Sequence, residues 1–179
     1  THIENNGGVI KLNCVVTKVE IIDLHVRGLY VGDSFETFDR VISTIPLTYV
    51  PKIMPDLPLD ILQKFSAINN IAVVCVIVKL KKSLTENFWL NINDSTMDIP
   101  GLVEYSNLRP LSDHIVYVPF YMPGEHPKFS ESNQVFLDKV KKYLKIINSE
   151  LKDDDFIDMH ASRYRYAQPI CPPNFLDGL

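Results

Sequence analysis

From residue 71 the chain reads Ile-Ala-Val-Val-Cys-Val-Ile-Val-Lys-Leu, and no other stretch constrains the fold as tightly. β-Branched side chains are stiff at χ1 and fit a pleated surface, so the run predicts a strand. Apolar residues occupy both parities, which means that neither face of the strand can look onto water. A strand covered on both sides belongs at the centre of a sheet, with partners supplied from elsewhere in the chain. The run falls far short of the roughly 18 apolar residues that a membrane helix needs.

The partners are legible on both sides of it. Residues 9 to 45 read as a meander of three β segments: Val9 to Ile22, His25 to Val31 and Phe35 to Ile45. Gly32-Asp33-Ser34 supplies a turn between the last two, since Gly tolerates positive φ and Asp can bond its own backbone. The third segment stops at Pro46, which cannot donate to a ladder. Pro51, Pro55 and Pro58 punctuate a link, and apolar residues at 61, 62, 65 and 68 predict a short helix over Leu59 to Ile68. Phe88 to Ile92, with the only tryptophan, Trp89, and Leu102 to Ser106 read as further strands. Ile115 to Met122 reads as another, placed at an edge or a bulge by Pro119. Ser130 to Leu151 is the clearest helix, capped by Ser130, with Phe136, Val140, Tyr143, Leu144 and Ile147 on one face and Lys139, Lys141, Lys142 and Lys145 on its solvated flank. The expected fold class is α+β: a mixed, largely antiparallel sheet with flanking helices, preceded by a three-stranded β-meander.

Charge excludes some functions. Eighteen basic and 22 acidic residues give a net charge of -4, the wrong sign for gripping nucleic acid or an anionic membrane. With no signal-peptide pattern and no membrane span, the expected location is cytoplasmic. Cys14, Cys75 and Cys171 cannot all pair and lack metal-finger spacing; Cys14 and Cys75 read as small buried hydrophobes, and Cys171 falls in a proline-rich loop. Asp153, Asp154 and Asp155 point apart in a turn rather than converging on a cation, so no metal site is expected. Thr1 in place of methionine, and a loop-like ending at Asp177-Gly178, predict an excised piece of a longer protein.

Catalytic motifs do not emerge from spacing. There is no Gly-x-Ser-x-Gly, no His-Glu-x-x-His and no phosphate-binding loop, and the glycines contain no Gly-x-Gly. One alternation stands out: Arg163, Tyr164, Arg165, Tyr166 places two guanidinium groups on one face of a strand and two phenols on the other. Such a strand either borders a ligand cleft or is an amphipathic strand with packed tyrosines.

Four stretches carry a resemblance: Gly8 to Val19, Phe38-Asp-Arg-Val-Ile-Ser-Thr-Ile-Pro46, Asn87-Phe-Trp-Leu-Asn91, and Arg163-Tyr-Arg-Tyr-Ala-Gln-Pro-Ile170. Together they are similar to the middle of flavin-dependent oxidoreductases of the amine oxidase superfamily. That group includes protoporphyrinogen oxidases and is related to UDP-galactopyranose mutases. In it the chain visits a flavin domain and a substrate domain in alternation. The resemblance implies that residues 1–55 are a β-meander of a partial flavin-binding domain, 56–165 a substrate-binding domain, and 166–179 the start of the return. It implies Val16, Ser43, Thr44 and Pro46 near the cofactor and Arg163, Tyr164 and Tyr166 at the substrate cleft, with no catalytic acid or base assignable. FAD is the implied cofactor of the whole protein, not retained by this stretch alone. The implied partners are a small-molecule substrate and the missing flavin-binding domain, and residues 9–45, when uncovered, are expected either to self-associate or to be disordered. A sugar-nucleotide mutase relative, or a non-catalytic β-rich binding module, are the alternatives.

Overall fold

A computed structural model describes residues 1–175, which form two compact units: Thr1–Ile68 with the tail from Cys171, and Asn69–Ile170. The loop expected at Asp177-Gly178 lies outside the described residues.

The first unit opens with α1 (His2–Asn5), followed by β1 (Val16–Ile22), β2 (His25–Val31) and β3 (Ser34–Thr37) as an antiparallel three-stranded sheet in that order. Gly32 takes φ 60° in the β2–β3 turn, as its lack of a Cβ allows. Gly28 is needed for room: a Cβ there would lie 2.2 Å from the Glu36 carbonyl oxygen. Two strands are shorter than the sequence predicts. Val9 to Val15 stays irregular, with Asn13 in the left-handed region at φ 57°, and Cys14 is exposed rather than buried. β3 stops at Thr37 because pairing with β2 ends there; past the Phe38 N–H bond to Arg27 (3.4 Å) the two segments splay around a cavity of about 320 Å³. Without a neighbour to satisfy its ladder, residues 38–45 are not a strand, and Ile42 is 91% exposed. Two short helices, α2 (Val50–Ile53) and α3 (Leu59–Ser66), close the unit.

The second unit holds β4 (Asn70–Leu80), β5 (Trp89–Asn91), β6 (Gly101–Glu104), α4 (Tyr105–Leu108), β7 (His114–Pro123), α5 (Asn133–Ile147) and β8 (Phe156–Pro169). Its sheet is five-stranded, ordered β5-β6-β7-β4-β8, with every neighbour antiparallel. β4, the apolar run, is flanked on both sides, one strand in from the edge. β6 reaches β7 only as far as Tyr117, so Pro119 falls where β7 has lost its outer neighbour and its missing donor costs nothing. α5 starts three residues later than expected, with Ser132 rather than Ser130 preceding it, because Pro127–Ser130 forms a separate 3₁₀ turn. Phe136, Val140 and Leu144 pack onto Val74, Val76, Val78, Phe120 and Ala161, the main core. The aspartate turn is ion-paired: Asp153 meets Lys141 at 2.6 Å and Lys145 at 3.0 Å. No helix among the described residues is long and apolar enough to cross a membrane.

Candidate functional site

Alternation sorts the sheet of the second unit into two unlike faces. Ala72, Val74, Val76, Val78 and Leu80 of β4 are completely buried, and α5 lies on their side. The odd-numbered residues point the other way. The registers put Trp89, Val103, Tyr117, Ile77 and His160 in a single row crossing all five strands. At an interstrand spacing of about 4.8 Å such a row spans roughly 19 Å. The next rows hold Pro119, Cys75 and Ser162, then Tyr121, Val73 and Tyr164. Tyr105, at the start of α4, meets the Tyr117 ring edge-on at 6.0 Å. Trp89 is 54% and Tyr164 61% exposed, so this face presents aromatic surface where the opposite face is sealed.

Lys79 and Asp158 stand opposite each other at one end of the face. Lys79 is held by Asp113 at 2.8 Å, and this bond keeps the Asp113 carboxyl below its usual range. Burial pushes the Cys75 thiol up, so it stays protonated and is a poor nucleophile. Asp158, His160 and Ser162 share the face, but residues two apart on a strand are about 6.8 Å from each other. No hydrogen bond joins them among the described residues, so they do not work as a triad. Nor do three His, Cys, Asp or Glu side chains converge on a metal position among those residues.

The residues singled out in the sequence divide between the units. Arg163 points to the helix side, where it donates to the Phe129 carbonyl at 2.9 Å, to the Glu131 carbonyl and to Asn133 Oδ1, and lies over the Phe136 ring. Arg165 stacks on Phe129 and pairs with Glu125 at 2.8 Å. Tyr164 sits on the open face, opposite Val73. Residues 165–167 of β8 oppose the single Ala72, an expanded bulge that contains the half-buried Tyr166. In the first unit, Val16 opens β1 opposite Val31. Ser43, Thr44 and Pro46 are exposed, and Ser43 stands with Ile45, Leu47, Val50, Met54, Leu57, Ile61 and Phe65 around an apolar hollow of about 350 Å³. α3 begins after Pro58 and α5 after Ser132, neither through a glycine turn. A cradle for a flavin pyrophosphate, with backbone N–H groups reached through glycines, is not among the described residues.

Two structurally decisive residues gave no sequence signal. Glu104, completely buried on the helix side, accepts from Ser83 Oγ, the Leu84 N–H and the Thr85 N–H at 2.7 to 2.8 Å. Asp98 accepts from the Tyr143 hydroxyl at 2.6 Å, Lys128 at 2.8 Å and Lys139 at 3.0 Å. The Trp89 row could have been found only by knowing the strand order.

The second unit is thus an antiparallel sheet backed by a helix on one face and carrying aromatic side chains on the other. Residues 2–169 match the model of the flavin containing amine oxidoreductases, and the chain belongs to that family. Its fold is shared with an oxidoreductase from Methanosarcina mazei (TM-score 0.64, 15% identity, covering 91% of this chain and 40% of that one). It is shared also with a reduced UDP-galactopyranose mutase (0.63, 12%, 97% and 40%). A protein of Exiguobacterium sp. 255-15, provisionally designated a protoporphyrinogen oxidase, follows at 0.60, 18%, 90% and 36%. The chain thus spans 36–40% of the length of these structures. Comparison with curated proteins returned no match.

Proposed function

We propose that this chain is the substrate-domain portion of a cytoplasmic, FAD-dependent oxidoreductase of the amine oxidase type, with the open face of its five-stranded sheet as the wall against which substrate lies. The observation that carries the reading is the asymmetry of that sheet, sealed by α5 on one side and lined by Trp89, Tyr117, Tyr121 and Tyr164 on the other, in a chain of the flavin family. Flavin would supply the redox chemistry, accepting a hydride equivalent from substrate, while these side chains bind and orient it. Val16, Ser43, Thr44 and Pro46 would flank the cofactor; Tyr164 and Tyr166 would border the substrate cleft. Arg163 would fix the cleft strand to α5 rather than touch substrate. The pyrophosphate-binding residues would come from polypeptide outside this chain.

Domain boundaries near residues 55 and 165 belong to the same proposal, as does a covering flavin domain over residues 9–45. The test compares two polypeptides. One extended through the gene in both directions should purify with a flavin absorbance band, and the 179-residue chain mixed with FAD and desalted should be colourless. Stoichiometric flavin on the shorter chain would overturn the division of labour.

A further inference from the structure

β5 is an edge strand of three residues, Trp89–Asn91, in the order β5-β6-β7-β4-β8. So short a ladder holds its register weakly, and a slip of one residue would carry Trp89 from the open face to the helix side. The segment that leads into the strand is tied down far more firmly. Val103 pairs with Trp89, and the residue after it, Glu104, takes the Ser83 hydroxyl and the Leu84 and Thr85 N–H groups at 2.7 to 2.8 Å, while its own N–H donates to the Phe88 carbonyl at 2.8 Å. Asn107 in α4 donates its side-chain amide to the Thr85 and Asn87 carbonyls, each at 3.0 Å. Asn148, which ends α5, donates to the Leu84 carbonyl at 2.9 Å. Residues 83, 84, 85 and 87 are thus all fastened to parts of the chain distant in sequence. In the strand itself, Leu90 packs against the core, and the indole N–H of Trp89 donates to Asn91 Oδ1 at 2.7 Å, a bond that fixes the rotation of a ring that is 54% exposed.

We propose that Glu104 and Asn107 are positioning residues for Trp89: they set the register of β5 through residues 83–87, so that the indole, steered by Asn91, stands on the open face in one orientation before any ligand arrives. Glu104 acts from the sealed side of the sheet, where it is completely buried. The proposal rests on the reading of the open face as the substrate wall, since a ring that is already ordered loses less side-chain entropy when substrate meets it.

Trp89 is the only tryptophan, so the emission of the 179-residue chain reports this ring alone. In the parent, time-resolved anisotropy is expected to decay with the tumbling of the folded unit and to show no faster component. Asn91→Ala should add a component of nanoseconds or less, and Asn91→Asp, which keeps an acceptor oxygen, should remove it again. Glu104→Ala and Asn107→Ala should each add the fast component and raise acrylamide quenching, by up to about twofold for a ring that starts 54% exposed. Glu104→Gln should restore part of the difference. Val140→Ala, in the main core, controls for lost stability and should leave Trp89 unchanged. If Glu104→Ala loses its circular dichroism spectrum, Asn107→Ala and Asn91→Ala carry the test. A fast component in the parent, unchanged emission in both clamp variants, or an equal change in Val140→Ala would each overturn the proposal. The readout uses neither flavin nor substrate. Failure here therefore leaves the flavin reading standing, and a colourless extended polypeptide would sink that reading without touching this measurement.

Discussion

Glu104 Oε2 accepts both the backbone N–H of Thr85 at 2.8 Å and its hydroxyl at 3.2 Å, so that one carboxylate at the end of β6 closes the loop that leads out of β4. Its other oxygen takes the Leu84 N–H and Ser83 Oγ. All of this occurs at a completely buried position, where a polar side chain is tolerated because its oxygens meet donors. Glu104→Ala strands two backbone donors and is expected to cost about 3 kcal/mol in urea unfolding. Glu104→Gln retains one acceptor oxygen and should lose less. Equal, negligible losses for both would show that the loop is held by other contacts.

Acid should weaken the second unit through Asp98. Burial opposes ionisation of this carboxyl, but hydrogen bonds from Lys128, Tyr143 and Lys139 outweigh it and hold the group well below the usual carboxylate range. A depressed native pKa means that the stabilisation is fully present above the unfolded value, about 3.9, and fades as pH falls below it. Thermal midpoints between pH 6 and pH 2 should therefore fall less steeply for Asp98→Asn than for the parent. Parallel curves would refute this assignment.

The two meander glycines separate two reasons for being glycine. Gly32→Ala meets open space and pays only for a left-handed backbone, about 1 kcal/mol. Gly28→Ala drives a Cβ into the Glu36 carbonyl and should cost clearly more, loosening the β2–β3 pairing. Amide exchange across Phe35 to Thr37 would show it.

Arg163→Lys is expected to loosen the segment before α5, because an ammonium cannot reach the three acceptors that the guanidinium fork spans. Hydrogen exchange at residues 129–133 should rise, with a stability loss of about 1–2 kcal/mol. In the extended flavoprotein the same variant should alter substrate KM little. A large KM effect with unchanged exchange would return Arg163 to the cleft.

Val9, Leu12, Val15, Leu24 and Ile42 are all exposed in the first unit, and a cover over them would remove that apolar surface from water. Light scattering over a dilution series should reveal self-association of the chain, reduced by Val15→Lys. A monomer at every concentration would argue against an absent cover.

The sequence by itself determined the strands, the main helix and their order, because periodicity is local: the run from Ile71 to Leu80 and the apolar face of residues 136 to 147 can be read from neighbouring positions alone. It determined too that Arg163 and Arg165 share a face opposite Tyr164, a consequence of period two. Strand ends were less legible. Residues 38–45 have strand chemistry, yet a strand exists only where a neighbour takes its hydrogen bonds, and β2 is no longer paired there. Only tertiary structure decided that Trp89, Val103, Tyr117, Ile77 and His160 form one row, since strand order and register are properties of pairings between distant segments. The same holds for Glu104 and Asp98, ordinary surface residues by composition, whose partners arrive from up to 45 positions away and become partners only when the sheet and helix close on them.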